Sequence, residues 1–240
     1  MRRVPLEVYC GRRLCWPGVD GVHDMGGMHG FGRVVEPGSE LPYHERWEPR
    51  VFAIQMLVGL EGLGAGPGGR PVREEMDPAD YLAASYYERW LYSAEQRLLR
   101  KGTIAPGEVE RVMERLEGGE SVPAYYDAAM AERIVVDLRS VYPMDSPPAD
   151  VRFGRGHRVR VKRMHPGGHT RCPRYARGAA GVVECVRGAD RLPDRAVYGE
   201  QVTPEPVYSV AFRSQDLWGS SEETPWTVLL DLWDSYLEPA

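Results

Sequence analysis

Lysine is almost missing from this sequence. Lys101 and Lys162 stand against 28 arginines. The arginine excess follows the coding bias of a GC-rich genome and carries little functional weight. Acids outnumber bases, and the net charge is −5. Nothing in that balance points to a nucleic-acid or membrane surface as the main partner. Long apolar runs are missing as well. No stretch approaches the roughly 18 residues of a membrane span. The opening MRRVPLEVYCGRRLCWPG has arginines but no continuous apolar segment of a secretory signal. Cysteine is scarce: Cys10, Cys15, Cys172 and Cys185, none in a C-x-x-C pair. Free thiols in a cytoplasmic protein are expected, not a disulfide framework. No internal repeat is visible.

What is present is an ordinary globular balance, 42% hydrophobic and 27% charged over 240 residues. That suffices for one large domain or two modest ones. Residues 1–18 form an extension without periodicity, and 19–45 an extended Gly- and Pro-rich arm expected to wrap a partner. From 46 to 147 the pattern is helical. A helix starts near Trp47, with Val51, Ile54, Leu57 and Val58 at helical spacing. Glu61–Pro71 (EGLGAGPGGRP) reads as loop. Asp77 and Pro78 cap a further helix through Tyr81, Tyr86, Trp90 and Leu98 to Gly102. A short helix follows from Pro106 and another over 124–141. Ser146–Phe153 is a Pro-rich linker. After it the period falls from 3.6 to 2: HRVRVKRM, GVVECV, VYSVAF and WTVLLDLW read as strands. The expectation is an α+β chain, with an N-terminal arm and helical domain followed by an SH3-like β-barrel over 148–240.

VHDMGGMHGFGRV, Val22–Val34, concentrates two histidines, an aspartate and four glycines. His23, Asp24 and His29 have the right donor types for zinc or iron. Their glycine-flanked spacing builds no ligand cage, and no third histidine or cysteine sits at a recognised offset. A phosphate loop needs a strand before and a helix after. Pro37 and Pro42 follow instead, with no G-K-[ST]. The remaining reading is an extended arm whose glycines permit close backbone approach, and on physics alone it leads.

VDGVHDMGGMHGFG also resembles the N-terminal signature of the nitrile hydratase β subunit. The similarity continues in order through RWEPRVFAI, MDPADYLAASYYERWL, HTRCPRYARGAAGVVE, VYSVAF, DLWG and DLWDSYLEP. It runs from about Val19 to the last residue. Members of that family begin Met-Asp/Asn-Gly, where this chain has Val19-Asp20-Gly21. The resemblance therefore implies a natural start at Val19, read from GTG, with residues 1–18 an artefact.

The resemblance implies hydration of nitriles to amides by a lyase made of two kinds of subunit, inactive as this chain alone. The α subunit would carry the metal, a non-corrin cobalt(III), slightly favoured by Trp90, or a non-haem iron(III). A claw of cysteines, two of them oxidised, would hold it. This chain has no C-x-x-C-S-C claw, so no metal site is expected in it. Its part would be two arginines on the oxidised cysteine oxygens: Arg70, with Arg73 as competitor, and Arg171, with Arg174 and Arg177 as competitors. A rigid, permanently charged fork suits a compact sulfur oxyanion. Tyr86 and Trp90, four apart on one helix face, would line the substrate pocket, although core packing is the commoner role of such a pair. The implied assembly is an αβ heterodimer, α2β2 as the larger form, matured by a metallochaperone-like activator. Three alternatives stay open. One is a non-catalytic SH3-like protein with RNA or protein partners. The second is a thiocyanate hydrolase-type subunit, and the third an activator resembling the N-terminal half.

Overall fold

In a computed structural model of the chain, residues 21–32, 41–121, 126–140, 150–219 and 225–240 are described. The 1–18 extension, the suggested start at Val19 and the first half of the Pro-rich linker lie outside them. Six helices come first, then five strands, so the α+β expectation holds.

Helix α1 (Glu48–Leu60) begins with Pro49 in its first turn, where no amide is missed. The Gly-rich stretch expected as loop contains a helix of its own, α2 (Gly69–Glu74). The single helix expected from Asp77 to Gly102 is two, α3 (Pro78–Ala83) and α4 (Tyr86–Lys101). The chain breaks because Ser85 caps a fresh start. Its hydroxyl accepts the Glu88 amide while the Glu88 carboxylate accepts the Ser85 amide. Gly102, at φ 75°, closes α4 in the left-handed conformation. Helices α5 (Glu108–Glu117) and α6 (Ala128–Ser140) follow. Among the described residues, no helix is long and apolar enough to cross a membrane.

The helical part has a thin core around Val51, Val58, Val72 and Ala94. Large apolar side chains stay open on it, among them Leu82, Leu116 and Val136.

The strands are β1 (Arg158–Val161), β2 (Ala180–Asp190), β3 (Glu205–Arg213), β4 (Thr227–Trp233) and β5 (Leu237–Pro239). All ladders are antiparallel, in the order β4-β3-β2-β1-β5. A one-turn 3₁₀ helix, Asp234–Tyr236, carries β4 into β5, which pairs with β1 at the far edge. Among the described residues no ladder joins β4 to β5, so the closing seam of the expected barrel is not seen. Helix α7 (Pro193–Ala196) interrupts the β2–β3 connection, and α8 (Ser214–Trp218) follows β3.

The β core is the chain's main one, built on Val159, Val183, Val210, Phe212 and Leu232. Gly181 shows how tightly it is filled. A Cβ there would stand 2.7 Å from Val210 Cγ1, 2.8 Å from the Ala211 carbonyl oxygen and 2.8 Å from Phe212 Cε1. Two of those neighbours are strand backbone and a buried ring, so neither can yield freely. Gly181→Ala is expected to cost about 3 kcal/mol. A clearly lowered urea midpoint in tryptophan fluorescence checks it, and an unchanged midpoint would show that β2 and β3 have room to spare.

Candidate functional site

Helix α2 is the keystone between the two parts. Its buried side, Pro71 and Val72, faces inward. At its start, Ser93 of α4 donates its hydroxyl to the Gly69 carbonyl at 2.9 Å, and Gln55 of α1 donates to Ser93 at 3.3 Å. A Cβ on Gly69 would sit 2.1 Å from the Gln55 amide nitrogen, so a larger residue would displace the Gln55 side chain from its bond to Ser93. On the other side the Gly68 amide donates to the Val197 carbonyl, just after α7, at 2.8 Å.

The helix ends in a second clasp. Glu74 Oε1 and Oε2 lie 2.7 and 3.0 Å from His169 Nδ1, across 95 residues of sequence. A carboxylate only accepts, so Nδ1 carries the proton. The His169 side chain is 2% exposed, and its Nε2 has no hydrogen-bond partner among the described residues. The His169 amide donates to the Tyr198 hydroxyl at 3.0 Å. Two residues on, the Arg171 amide donates to the Tyr236 hydroxyl at 3.2 Å, and that hydroxyl donates in turn to Asp194 of α7. Burial first, then the bond to Asp194, pushes the Tyr236 phenol well above its ordinary value, so it stays protonated and keeps this role. The segment around α7 thus fixes Gly68, His169 and Arg171 together.

This frame brings three arginines onto one face. Arg70 and Arg73 are one turn apart on α2. Arg171 joins them from the β part. The Arg73 and Arg171 guanidiniums are both drawn below the ordinary arginine value, first by burial and then by the positive charge of Arg70. Among the described residues, no carboxylate is within ion-pairing distance of any of the three. Glu74, the nearest acid in sequence, is engaged by His169, with His23 Nε2 at 3.8 Å on its other side.

Beside them stands an aromatic wall. Tyr86 and Trp90 lie 5.5 Å apart between ring centres, backed by Tyr87, Phe52 and Tyr43. Tyr86 is 60% exposed. The Arg73 guanidinium lies over the Trp90 ring at 4.8 Å. Arg73 therefore links Arg70 to the Tyr86–Trp90 pair, while Arg171 is coupled to Arg70 by charge.

The competitors of Arg171 have other duties. The Arg174 amide donates to Asp24 Oδ2 at 2.8 Å. Arg177, its side chain 5% exposed, donates to Asp24 and to the Cys172 and Met164 carbonyls. Both bind the arm. The arm's glycines lie flat on aromatic rings: a Cβ on Gly26 would meet Tyr175 at 2.3 Å, and one on Gly27 would meet Trp218 at 2.6 Å. His23 faces Glu74, Asp24 faces Arg174 and Arg177, and His29 is exposed. The three do not converge on one point. Among the described residues, no group of three or more His, Cys, Asp or Glu side chains could hold a metal ion.

Cys172, next to Arg171, is buried, and its thiol is pushed up to about 12, chiefly by that burial. The thiolate is the nucleophile, so Cys172 stays inert until pH approaches that value. Exposed Cys185 is expected to take iodoacetamide at pH 8 long before Cys172 does, as peptide mass mapping would read. Early labelling of Cys172 would mean that the Arg171 segment opens in solution.

Sequence reasoning did not find Glu74, His169, Tyr198, Asp194 or Tyr236. A signal existed for two of them: Glu74 falls on the Arg70 face of its helix, and His169 is two residues before Arg171.

Among the described residues, Arg70, Arg73 and Arg171 have no carboxylate partner, and an open aromatic pair stands beside Arg73. The sequence matches the family models "Nitrile hydratase beta subunit, N-terminal" over residues 19–134 and "Nitrile hydratase beta subunit, C-terminal" over 142–239. The chain belongs to the nitrile hydratase β subunit family. It is 34% identical over 224 residues to the nitrile hydratase subunit beta of Pseudomonas putida, covering 92% of this chain and all of that one. It is 32% identical over 230 residues to the cobalt-containing nitrile hydratase subunit beta of Pseudonocardia thermophila, covering 92% and 96%. The thiocyanate hydrolase subunit alpha of Thiobacillus thioparus is 34% identical over 92 residues, 37% of this chain and 72% of that one.

Proposed function

We propose that this chain pairs with a metal-bearing α subunit to hydrate nitriles to amides. The observation that carries the proposal is the convergence of Arg70, Arg73 and Arg171 without a carboxylate among the described residues. Arg73 is half-buried, Arg70 and Arg171 are exposed, and the positive charge of Arg70 opposes the charged form of the other two. An anionic surface brought by a partner would offset that repulsion. Oxidised cysteine oxygens of an α-subunit claw are such anions, and Arg70 and Arg171 would donate to them. The residues of this chain fit the surround of such a centre, as donors to its oxygens, and do not supply its ligands.

The metal, once bound by the α subunit, would supply Lewis acidity. Cobalt is favoured over iron because two of the relatives are named cobalt-containing. The arginines would hold the sulfur oxygens in place and stabilise charge developing on them. Tyr86 would offer its hydroxyl at the mouth, and Trp90 would form the apolar wall against which a nitrile tail packs and from which water is excluded. The uncovered faces of the helical part would be buried in an αβ unit, with α2β2 as the larger form. The arm, from Met28 onward, would extend over that partner. An activator would deliver the metal during maturation. We assign the assembly to the cytoplasm, where free Cys172 and Cys185 stay reduced.

The test is co-expression with the α subunit and its activator, purification through a tag on this chain, and assays for metal and amide. A cobalt-bearing complex that converts a simple nitrile supports the proposal. A complex that hydrolyses thiocyanate but leaves nitriles untouched would move it to the sibling activity. A chain that stays alone and well behaved would overturn it.

A further inference from the structure

Three arginines in this structure lie over aromatic rings, and they spend their donors differently. Arg89, over Tyr81, donates to the Ala84 carbonyl at 3.1 and 2.8 Å. Arg152, over Phe153, donates to Asp234 at 3.0 and 2.8 Å and to two backbone carbonyls. Arg73, over Trp90, has no hydrogen-bond acceptor among the described residues. Stacking uses the face of a guanidinium and leaves its N–H groups in the plane, pointing outward. Arg73 therefore sits over the Trp90 ring at the pocket wall, carried on α2, with no acceptor for its N–H groups among the described residues.

Its described surroundings offer those groups no anion. Glu74 is turned to His169 and His23. Arg70 stands on the other side and adds positive charge. Two arginines answer the two oxidised cysteines of the proposed α-subunit claw, and the third has no assigned anion.

We propose that Arg73 makes this enzyme selective for nitriles whose tail carries a carboxylate. The inference rests on the nitrile-hydration reading above. The carboxylate would take the Arg73 fork bidentately while the chain between carboxylate and nitrile packs on Trp90 and Tyr86. Hydration adds one water across the C≡N bond and leaves the distal carboxylate unchanged, so the contact acts on selection and orientation.

The experiment compares 5-cyanovalerate with the neutral valeronitrile, using the assembled heteromer. For the wild type, kcat/KM for the cyano acid should be at least as high as for the neutral nitrile. Arg73→Met should lower the ratio of the two by about tenfold or more, mainly by raising KM for the cyano acid, as loss of a charge-assisted pair predicts. Arg73→Lys, which keeps the charge but not the fork, should fall between. An unchanged ratio in Arg73→Met would overturn the inference. So would an equal collapse on both nitriles with the complex intact, which would place Arg73 on the claw. Hydration of neither nitrile by the metal-loaded wild type would overturn the nitrile-hydration reading itself and the inference with it.

Discussion

Arg171→Lys is expected to lower amide formation by the assembled heteromer about 10²- to 10³-fold, the usual loss when one preorganised donor is removed from a developing charge. Lysine keeps a positive charge, but as a single point on a flexible stem. It loses the planar fork that fits two oxygens at once. The fall should appear in kcat as much as in kcat/KM, because the proposed contact is to the reacting centre and not to the nitrile tail. Assembly should survive. The bonds that hold this segment in the fold, the Arg171 amide on Tyr236, the His169 amide on Tyr198 and His169 Nδ1 on Glu74, do not use the Arg171 side chain. Kinetics, metal content and gel filtration on one preparation decide the matter. Activity within threefold of wild type, at equal metal content, would remove Arg171 from the site. Arg174→Lys serves as the contrast, since the principal tie of Arg174 to the arm is its backbone amide on Asp24.

Why Arg171 could be named from sequence while its support could not is a matter of contact range. HTRCPRYARG offers three arginines at similar spacing, and only the resemblance ranked Arg171 first. The fold adds a physical ground, because Asp24 engages Arg174 and Arg177 and leaves Arg171 open. Helix α1 and the body and C-terminal end of α4 were legible because Pro49, Gly102 and the apolar spacing are local features. The break between α3 and α4 was legible too. Ser85-Tyr86-Tyr87-Glu88 is a capping box, but the run of apolar spacing through it masked the signal. Helix α2 was hidden for the opposite reason. It is six residues long, entered through glycines and carries a proline, so no periodic window could show it. It forms because Gln55, Ser93 and Val197 dock its entrance from three elements distant in sequence. Strand β5 is three residues long and exists only as a partner of β1.

The same range of contact makes Glu74 the most informative residue outside the arginines. Glu74→Leu should cut turnover by about 10²-fold even though Glu74 bonds to a histidine and not to the proposed claw. Two effects combine. First, the His169 ring would lose its one bonded nitrogen while its other nitrogen already lacks a partner among the described residues, a cost of about 1–3 kcal/mol for a buried polar group left unmet. The thermal midpoint should fall accordingly. Second, Glu74 is the clasp that registers α2, with Arg70 and Arg73, against the segment of Arg171. A misplacement of about 1 Å between groups that must act together is enough to cost 10²-fold. The Glu74 charge also raises the pKa of both Arg73 and Arg171, against the effect of Arg70. Without it the three cations would repel one another with less relief. Glu74→Gln separates these contributions. Its carboxamide oxygen still accepts from His169 Nδ1, so geometry is retained while the charge is lost. Stability should return close to wild type, and turnover should recover to within about tenfold, the gap being the electrostatic part. If Gln were as damaging as Leu in turnover with stability restored, charge and not position would be the contribution of Glu74. If Leu left turnover intact, the two halves of the arginine face would be held in register by something other than this clasp.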